Sequence, residues 1–333
     1  MEPLLSVRSL KASLRSDEHL VKIVDGVDLT INRGETVGLV GETGAGKTVT
    51  ALSILGILQP IGASKLPWKI EGEVLFRGKD LMKLSEEDMR EIRGKQIALI
   101  TQNPIASLHP LDIIGYQTGE TLDEYQMAES EKIMNLVVEH LGKVEIADAK
   151  KRFDNFRHQF SGGEGQRILL AMALIRNPSM LIADEPTSSL DVTVQRQILE
   201  LLKAMKRVFN LSMLLITHNL GVIAEMSDRV YVMYAGKIVE HGDVKAIFRE
   251  PLHPFTRGLL ASIPRIDKDF FEFGGIPGEP PNPLYPISGC KFHPRCRHSK
   301  ELCSQQVPEL VEVEPNHFAA CSRINEIRSE SKA

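Results

Sequence analysis

Cysteine is missing from the first 289 residues of this 333-residue chain, and its four cysteines all lie near the C-terminal end. Long apolar runs are missing as well. No stretch of 18 or more consecutive apolar residues occurs, so we expect no segment to span a bilayer by itself. Residues 1–10 contain no charged stretch followed by an apolar core, so we expect neither a signal peptide nor secretion.

The charge balance lacks a basic surplus. Lys plus Arg number 40 against 44 for Asp plus Glu, which gives a formal net charge of -4. A protein whose main function is to coat nucleic acid needs excess positive charge to neutralise phosphates, so that class is excluded. The 42% hydrophobic and 25% charged content is typical of a soluble globular protein. At roughly 150 residues per domain, the length predicts one large domain or a domain with a sizeable appendage.

Short apolar segments alternate with helical patterns along most of the chain. Thr36–Val40 predicts a strand, and 47–58 has apolar residues spaced for one buried helix face. The region of about 103–170 is mainly helical in pattern. Further predicted elements are strands at 180–183 and 213–216 and helices at 129–141 and 192–209. Strands that alternate with helices predict an α/β fold with a largely parallel core sheet.

The composition changes beyond about Pro251. Proline and glycine are concentrated at 274–281, which predicts a linker into a small, loop-rich tail that holds the cysteines. We therefore expect a larger domain at 1–260, with a helical subdomain at about 103–170, and a C-terminal extension at 261–333.

A glycine-rich segment with the pattern of a phosphate loop lies between the first predicted apolar strand and a helix. Its glycines let backbone N–H groups curve round a β-phosphate at a helix N-terminus, where the dipole favours anions. Lys47 is expected to reach the β- and γ-phosphates, and the Thr48 hydroxyl to coordinate Mg²⁺. The alternative is a glycine-rich turn with a surface lysine, which the strand and helix on either side disfavour. The predicted ATP-binding residues here are Gly41, Glu42, Thr43, Gly44, Ala45, Gly46, Lys47 and Thr48.

Two carboxylates, Asp184 and Glu185, directly follow the apolar strand pattern of 180–183. The carboxyl end of a buried strand is where open α/β sheets place their ligands. Asp184 is expected to hold Mg²⁺ through water, and Glu185 to act as the general base that polarises the attacking water. Taken alone, such a pair indicates an acidic turn after a core strand. The catalytic interpretation is favoured because the chain also contains the phosphate loop.

A second anion site is predicted far from the phosphate loop in the sequence. Ser161, Gly162, Gly163 and Glu164 bring a hydroxyl and successive backbone amides to the start of an apolar helix pattern. His218 follows a strand pattern, and taken alone it reads as an ordinary, partly buried histidine.

Two more motifs complete the set, a glutamine loop at Gln102 and the segment 188–191. In order and spacing, all these motifs resemble those of an ATP-binding-cassette (ABC) ATPase over roughly residues 4–260. The segments 75–84 and 251–256 and the cysteine tail resemble, more narrowly, the ATPase subunits of oligopeptide and dipeptide importers. The resemblance implies an α/β fold with a mixed sheet core, a β subdomain, an inserted helical subdomain and a small loop-rich tail.

The resemblance also implies roles for the residues. Two ATPase domains would dimerise head to tail, and the signature 161–164 of one would grip the γ-phosphate held by the phosphate loop of the other. Gln102 would report the bound nucleotide to membrane subunits, His218 would contact the γ-phosphate, and Asp191, in the D-loop, would pass information across the dimer. The helical region would receive a helix of the membrane partner. The implied Mg²⁺ ligands are Thr48, Gln102 and Asp184.

The implied partners are two membrane-spanning permeases, an extracytoplasmic solute-binding protein and a second, related ATPase subunit, because such importers often pair two different ATPases. The implied location is peripheral, at the cytoplasmic face of the cell membrane. Di- and oligopeptides are the favoured solutes, and nickel chelates and oligosaccharides stay open. We expect no nucleic-acid partner. A soluble ABC ATPase acting on DNA or ribosomes would predict a long coiled-coil insertion, tandem ATPase halves or a basic surface, none of which the sequence contains. A metalloprotein with a regulatory nucleotide site is a third alternative.

Several positions depart from the family pattern. The signature has Phe160 where the family often has Leu, and Glu164 where it often has Gln, which we expect to tune affinity only. The aromatic residue that commonly stacks on adenine has no clear match, since the neighbourhood contains Leu14, His19 and Val21.

The four cysteines, Cys290, Cys296, Cys303 and Cys321, are separated by five, six and seventeen residues. Clustered thiols inside a cell indicate a metal or a cluster more than disulfides. Structural zinc usually comes with pairs two to four residues apart, which are missing here. Four thiolates suit a [4Fe–4S] cluster, and the resemblance favours it over zinc or reduced structural thiols. His293, His298 and His317 are alternative ligands, and Arg297 stands where the family frequently has proline.

Overall fold

A computed structural model describes residues 2–15, 20–58, 67–102, 107–122, 130–188, 190–263 and 275–330. The chain divides into two compact units. The first comprises Met1–Asn32, Thr36–Lys83 and Ile216–Ala333, and the second comprises Arg33–Glu35 and Leu84–Leu215. No helix of the described residues is long and apolar enough to cross a membrane.

The first unit contains most of the strands. Its strands are β1 (Leu5–Arg15), β2 (Leu20–Ile31), β3 (Thr36–Val40), β4 (Trp68–Phe76), β5 (Lys79–Asp80), β9 (Arg229–Tyr234), β10 (Lys237–Asp243), β11 (Val311–Glu314) and β12 (His317–Ala319). Its helices are α1 (Lys47–Ile54), α8 (Leu220–Met226), α9 (Val244–Arg249), α10 (Pro254–Ala261), α11 (Glu301–Gln305) and α12 (Ile324–Glu330).

Two groups of strands organise this unit. The order β2-β1-β4-β5 forms an antiparallel sheet, and the order β11-β12-β10-β9-β3 forms a second group in which β3 is parallel to β9. Every residue of β3 is buried, as expected for a strand covered on both faces. The strand β12 from the C-terminal region pairs with β10, which places the cysteine-containing tail in the same unit as the phosphate loop.

The second unit is mainly helical. Its helices are α2 (Glu86–Ile92), α3 (Ile114–Gly119), α4 (Ser130–Lys143), α5 (Ala149–Arg152), α6 (Gly162–Leu174) and α7 (Val192–Phe209). Its strands are β6 (Ile97–Ile100), β7 (Met180–Asp184) and β8 (Ser212–Ile216), in the order β8-β7-β6, and β8 ends at the boundary between the units. The pair β6–β7 is parallel.

The predicted elements are confirmed, with small differences at their ends. Strand β3 and helix α7 have the predicted bounds, and α4 covers the helix predicted at 129–141 apart from Glu129, which lies outside the described residues. Helix α1 ends at Ile54 rather than near Leu58. Its cap, Leu55, is followed by Gly56 at φ 62, a left-handed conformation that commonly ends helices. The predicted α/β class is therefore confirmed.

Candidate functional site

The phosphate loop connects β3 to α1 and requires glycine at two positions. A Cβ atom on Gly41 would lie 2.1 Å from the backbone oxygen of Met233. Gly46 has a φ of 103, and a Cβ there would lie 2.8 Å from the backbone oxygen of Ile23. Since L-residues with side chains disfavour that conformation and neither site has room for a methyl group, the glycines are required by the loop's path.

Lys47 begins α1 and is buried. Its Nζ donates to the backbone oxygen of Gly41 at 2.8 Å and to that of Glu42 at 3.0 Å. The Glu42 oxygen also accepts from the N–H of Ala45 at 3.1 Å, which closes the loop into a turn. Thr48 is exposed in the first turn of the helix. The start of α1 therefore presents an ammonium group, a hydroxyl and backbone amides together, which is the chemistry of an anion site.

His218 also belongs to the first unit, and it is exposed. It lies between Thr217, which follows β8, and Asn219, whose side chain caps α8 by accepting from the N–H groups of Gly221 and Val222. The cap fixes the start of the helix next to His218. Its exposure differs from the partly buried histidine that the sequence alone would suggest.

Asp184 and Glu185 lie in the second unit, at the carboxyl end of β7. They are 4% and 8% exposed. Glu185 has a φ of 51, the left-handed region that residues other than glycine enter rarely. Such backbone strain costs about 1–3 kcal/mol and is concentrated at functional sites. The periodicity of the sequence gives no sign of this conformation.

The signature residues form the start of α6. Ser161 caps the helix by accepting from the N–H of Glu164 at 3.3 Å, and the carboxylate of Glu164 accepts from the N–H of Ser161 at 2.9 Å. Arg152 forms an ion pair with Glu164 and lies over the ring of Phe160, 4.0 Å from its centroid. The Arg152 guanidinium is the main reason that the pKa of Glu164 is lowered.

This arrangement explains why the signature tolerates Phe160 and Glu164, the two residues that depart from the family's usual signature. Glu164 completes a reciprocal cap, and Arg152 binds both unusual side chains. Gly162 is exposed and Gly163 half-buried, so the backbone amides of the first turn lie near the surface.

Two further predicted site residues of the second unit are exposed. Gln102 lies two residues beyond the end of β6. Asp191 caps α7, and its Oδ1 accepts from the N–H groups of Thr193 and Val194 at 3.0 Å each. Asp191 therefore stabilises the start of a helix in its own chain, in addition to any role across a dimer.

The structure thus divides the predicted site residues between its two units. The phosphate loop and His218 belong to the first unit, and Gln102, 161–164, 184–185 and Asp191 belong to the second. Sequence reasoning missed Arg295, which forms an ion pair with Glu42 of the phosphate loop. An ion pair between positions so far apart leaves no local pattern in a single sequence. Of the three residues named near the adenine position, His19 lies outside the described residues.

The four cysteines line one cavity, together with His253, Phe292 and Arg323. The backbone N–H of Cys290 donates to the backbone oxygen of Cys303 at 2.8 Å, which joins two of the four segments. Burial raises the pKa of the thiols of Cys290, Cys296 and Cys321. These thiols are held protonated unless a metal or cluster binds them.

The donor set fits an iron–sulfur cluster in type and number, since the four cysteines line one cavity. Among the described residues, no three His, Cys, Asp or Glu side chains lie close enough together to hold a metal ion. The [4Fe–4S] prediction therefore stays a prediction.

Comparison with known proteins adds two family matches. Residues 24–188 match the model of the ABC transporter family, and residues 239–303 match that of the oligopeptide/dipeptide transporter C-terminal region. The second match includes three of the four cysteines.

Similar proteins match over nearly the whole chain. A putative peptide import ATP-binding protein of Brucella ovis is 44% identical, covering 98% of both chains. The dipeptide transport ATP-binding protein DppD of Bacillus subtilis is 44% identical over 96% of this chain and 95% of its own. Among solved structures, a dimeric ATP-binding cassette, MJ0796, in complex with ADP and Pi matches with a TM-score of 0.62 and 24% identity, covering 72% of this chain and 98% of that one.

Proposed function

The chain belongs to the ABC transporter ATPases, as its motifs predicted, and on this basis we propose that it hydrolyses ATP to energise the import of di- or oligopeptides, or related small solutes, across the cytoplasmic membrane. The matching family is named for transport, and the similar proteins are named for peptide import and dipeptide transport. The observation that carries the proposal is the phosphate loop, in which Lys47 lies buried at the start of α1 beside the exposed Thr48.

Within this site, ATP binds in cis to the phosphate loop. Lys47 gives up its two backbone acceptors for the β- and γ-phosphates, and the amides at the start of α1 take the remaining phosphate oxygens. Thr48, Gln102 and Asp184 would hold Mg²⁺, which when bound would supply positive charge to the phosphates.

Glu185 acts as the general base: it takes a proton from the attacking water while the water oxygen bonds to the γ-phosphorus, and the bond from the γ-phosphorus to the bridging oxygen breaks, so that ADP leaves with that oxygen. His218 contacts the γ-phosphate. The strained backbone of Glu185 supports this role, because such rare conformations are concentrated at functional sites.

The chain works as one half of an ATPase dimer. Ser161, Gly162, Gly163 and Glu164 contact the ATP held by the partner, and Asp191 communicates across the dimer. The partner is a second, homologous ATPase subunit. The dimer is peripheral at the cytoplasmic face, where it binds two transmembrane permeases that receive solute from an extracytoplasmic binding protein. The peptide import named for the relatives supports this assembly.

The catalytic assignment is tested with Glu185→Gln in the assembled transporter. ATP turnover should fall by about a hundredfold or more, the range expected for loss of a general base, while ATP binding is retained. Glu200→Gln, on the exposed surface of α7, is the matched control and should leave turnover unchanged. Undiminished turnover in Glu185→Gln would rule out Glu185 as the base and favour a regulatory nucleotide site.

For the cysteine tail we propose a [4Fe–4S] cluster held by Cys290, Cys296, Cys303 and Cys321. The cavity that the four cysteines share supports it, as does the donor type, because thiolates are the usual ligands of iron–sulfur clusters. These four side chains would hold the cluster, which would join the loops of the tail and take no part in hydrolysis.

Iron, sulfide and zinc analysis of the anaerobically purified chain tests this proposal. The expected result is about four iron and four sulfide per chain, lost in Cys290→Ser and Cys321→Ser. Stoichiometric zinc, or no metal, would overturn it. The ATPase assignment does not depend on which of these results is obtained.

A further inference from the structure

Arg295, from the C-terminal region, reaches the phosphate loop. Its Nη1 donates to Oε2 of Glu42 at 2.6 Å, and its Nη2 donates to Oε1 of the same carboxylate at 2.9 Å. Two donors of one guanidinium thus bind the two oxygens of one carboxylate, which is the bidentate pairing characteristic of arginine. The pair joins residues that are 253 positions apart in the chain.

The pair is enclosed, unlike most surface ion pairs. The side chain of Arg295 is 8% exposed and that of Glu42 is 22% exposed. Arg295 is also held by the backbone oxygens of Pro277 at 2.7 Å and Gly278 at 3.1 Å, and by the Tyr234 hydroxyl at 3.3 Å. Because the tail fixes the guanidinium from several directions, little side-chain entropy is lost in forming the pair, and solvent screens it weakly.

Glu42 has two functions that this contact affects. Its backbone oxygen accepts from Lys47 Nζ and from the N–H of Ala45, so it shapes the turn that binds phosphate. Its carboxylate is a negative charge next to the place where a polyphosphate anion binds. Without a positive partner, that carboxylate would repel ATP.

We propose that Arg295 is a positioning residue of the nucleotide site: by pairing with Glu42 it neutralises a carboxylate of the phosphate loop, so that the C-terminal region completes the site for ATP. This inference rests on the proposed role of the phosphate loop in binding ATP. It makes the tail a contributor to nucleotide affinity, independently of what its cysteines bind.

Each variant is measured in two assays. ATP binding by the whole chain is followed through displacement of a fluorescent ATP analogue, and steady-state ATP hydrolysis is followed in the assembled transporter. Arg295→Met should weaken ATP binding about tenfold and raise KM by a similar factor, equivalent to about 1.4 kcal/mol, with kcat at saturating ATP changed less than about twofold. Arg297→Met is the matched control, because Arg297 lies two positions away and is exposed. It should bind ATP as the unchanged chain does.

Rescue by a second substitution separates charge neutralisation from a general effect on folding. Glu42→Gln removes the negative charge that Arg295→Met leaves unpaired, so the double variant Glu42→Gln/Arg295→Met should recover most of the affinity for ATP that Arg295→Met loses. Thermal unfolding checks that each variant is folded. If Arg295→Met does not fold, Arg295→Lys replaces it. Lysine keeps the positive charge but cannot make the bidentate pairing of a guanidinium, so we expect Arg295→Lys to bind ATP about threefold more weakly than the unchanged chain.

Wild-type affinity in Arg295→Met, or a double variant as weak as Arg295→Met alone, would overturn the inference. Lys47→Ala distinguishes this failure from failure of the proposed function. If Lys47→Ala loses ATP binding while Arg295→Met keeps it, only the inference about Arg295 fails. If Lys47→Ala also binds ATP normally, the phosphate-loop assignment itself is wrong.

Discussion

His253 should make the folded chain sensitive to acid. It precedes α10 and is 1% exposed. Its Nδ1 accepts from the N–H of Phe255 at 3.0 Å and thereby caps the helix. An acceptor at Nδ1 requires the neutral ring, because the protonated ring has donors only. Protonation therefore both breaks the cap and places a charge in a buried site.

The magnitude follows from two pKa values. Burial lowers the pKa of His253 to about 4, against about 6.5 for histidine in an unfolded chain. Because the folded-state pKa is the lower one, the unfolded chain binds more protons between these values. The contribution of His253 to stability is thus fully present above about pH 6.5 and is lost as the pH falls toward 4. From pH 7 to pH 5 the loss is about 2 kcal/mol.

Urea unfolding of the full chain at pH 7 and pH 5, with and without His253→Asn, measures this loss. Asparagine caps helices well but does not titrate. Burial also lowers the pKa of His241 to about 4, but His241 is present in both proteins, so its effect cancels in the comparison. The variant should lose about 2 kcal/mol less than the unchanged chain between the two pH values. Equal losses in the two proteins would refute the reasoning.

Two further predictions concern the signature helix and its neighbour. A Cβ on Gly163 would lie 2.5 Å from Cγ1 of Val194, so Gly163→Ala should destabilise the chain by about 1–3 kcal/mol. Gly162→Ala meets only an ordinary contact at 3.7 Å and should change urea stability by less than about 0.5 kcal/mol; equal costs would mean that packing against α7 is unimportant. Asp191→Ala removes the cap of α7 and should cost about 1 kcal/mol, whereas Asp191→Asn retains a capping oxygen and should cost almost nothing. A comparable loss in both Asp191 variants would indicate that the charge, and not the cap, stabilises the helix.

The sequence predicts the features that are encoded locally. The apolar run of β3, the glycines of the phosphate loop and the periodicity of α7 each occupy one short segment, and the structure has them where the pattern places them. The roles assigned to residues within those segments follow from the chemistry of phosphate binding, which requires certain residue types at a fixed spacing, and they stay predictions.

The remaining features depend on contacts between distant segments. The left-handed backbone of Glu185 and the exposure of His218 depend on packing that no short window contains. The pairing of β12 with β10 has the same origin, since a three-residue strand has too few positions to show alternation.

Such contacts between distant segments make the C-terminal region a structural part of the unit that contains the phosphate loop. Its strand β12 covers one edge of β10, and His317 Nε2 lies 2.8 Å from the fully buried carboxylate of Glu240. A chain ending after α10 would expose that edge and remove His317 from Glu240, whose carboxylate would keep the N–H groups of Leu252 and His253 as donors. It would also remove Arg295 from Glu42. Since each of these losses acts on the unit that contains the phosphate loop, weak ATP binding by a truncated chain would not implicate the cysteines. Only single substitutions such as Arg295→Met can separate the contribution of the ion pair from that of the fold.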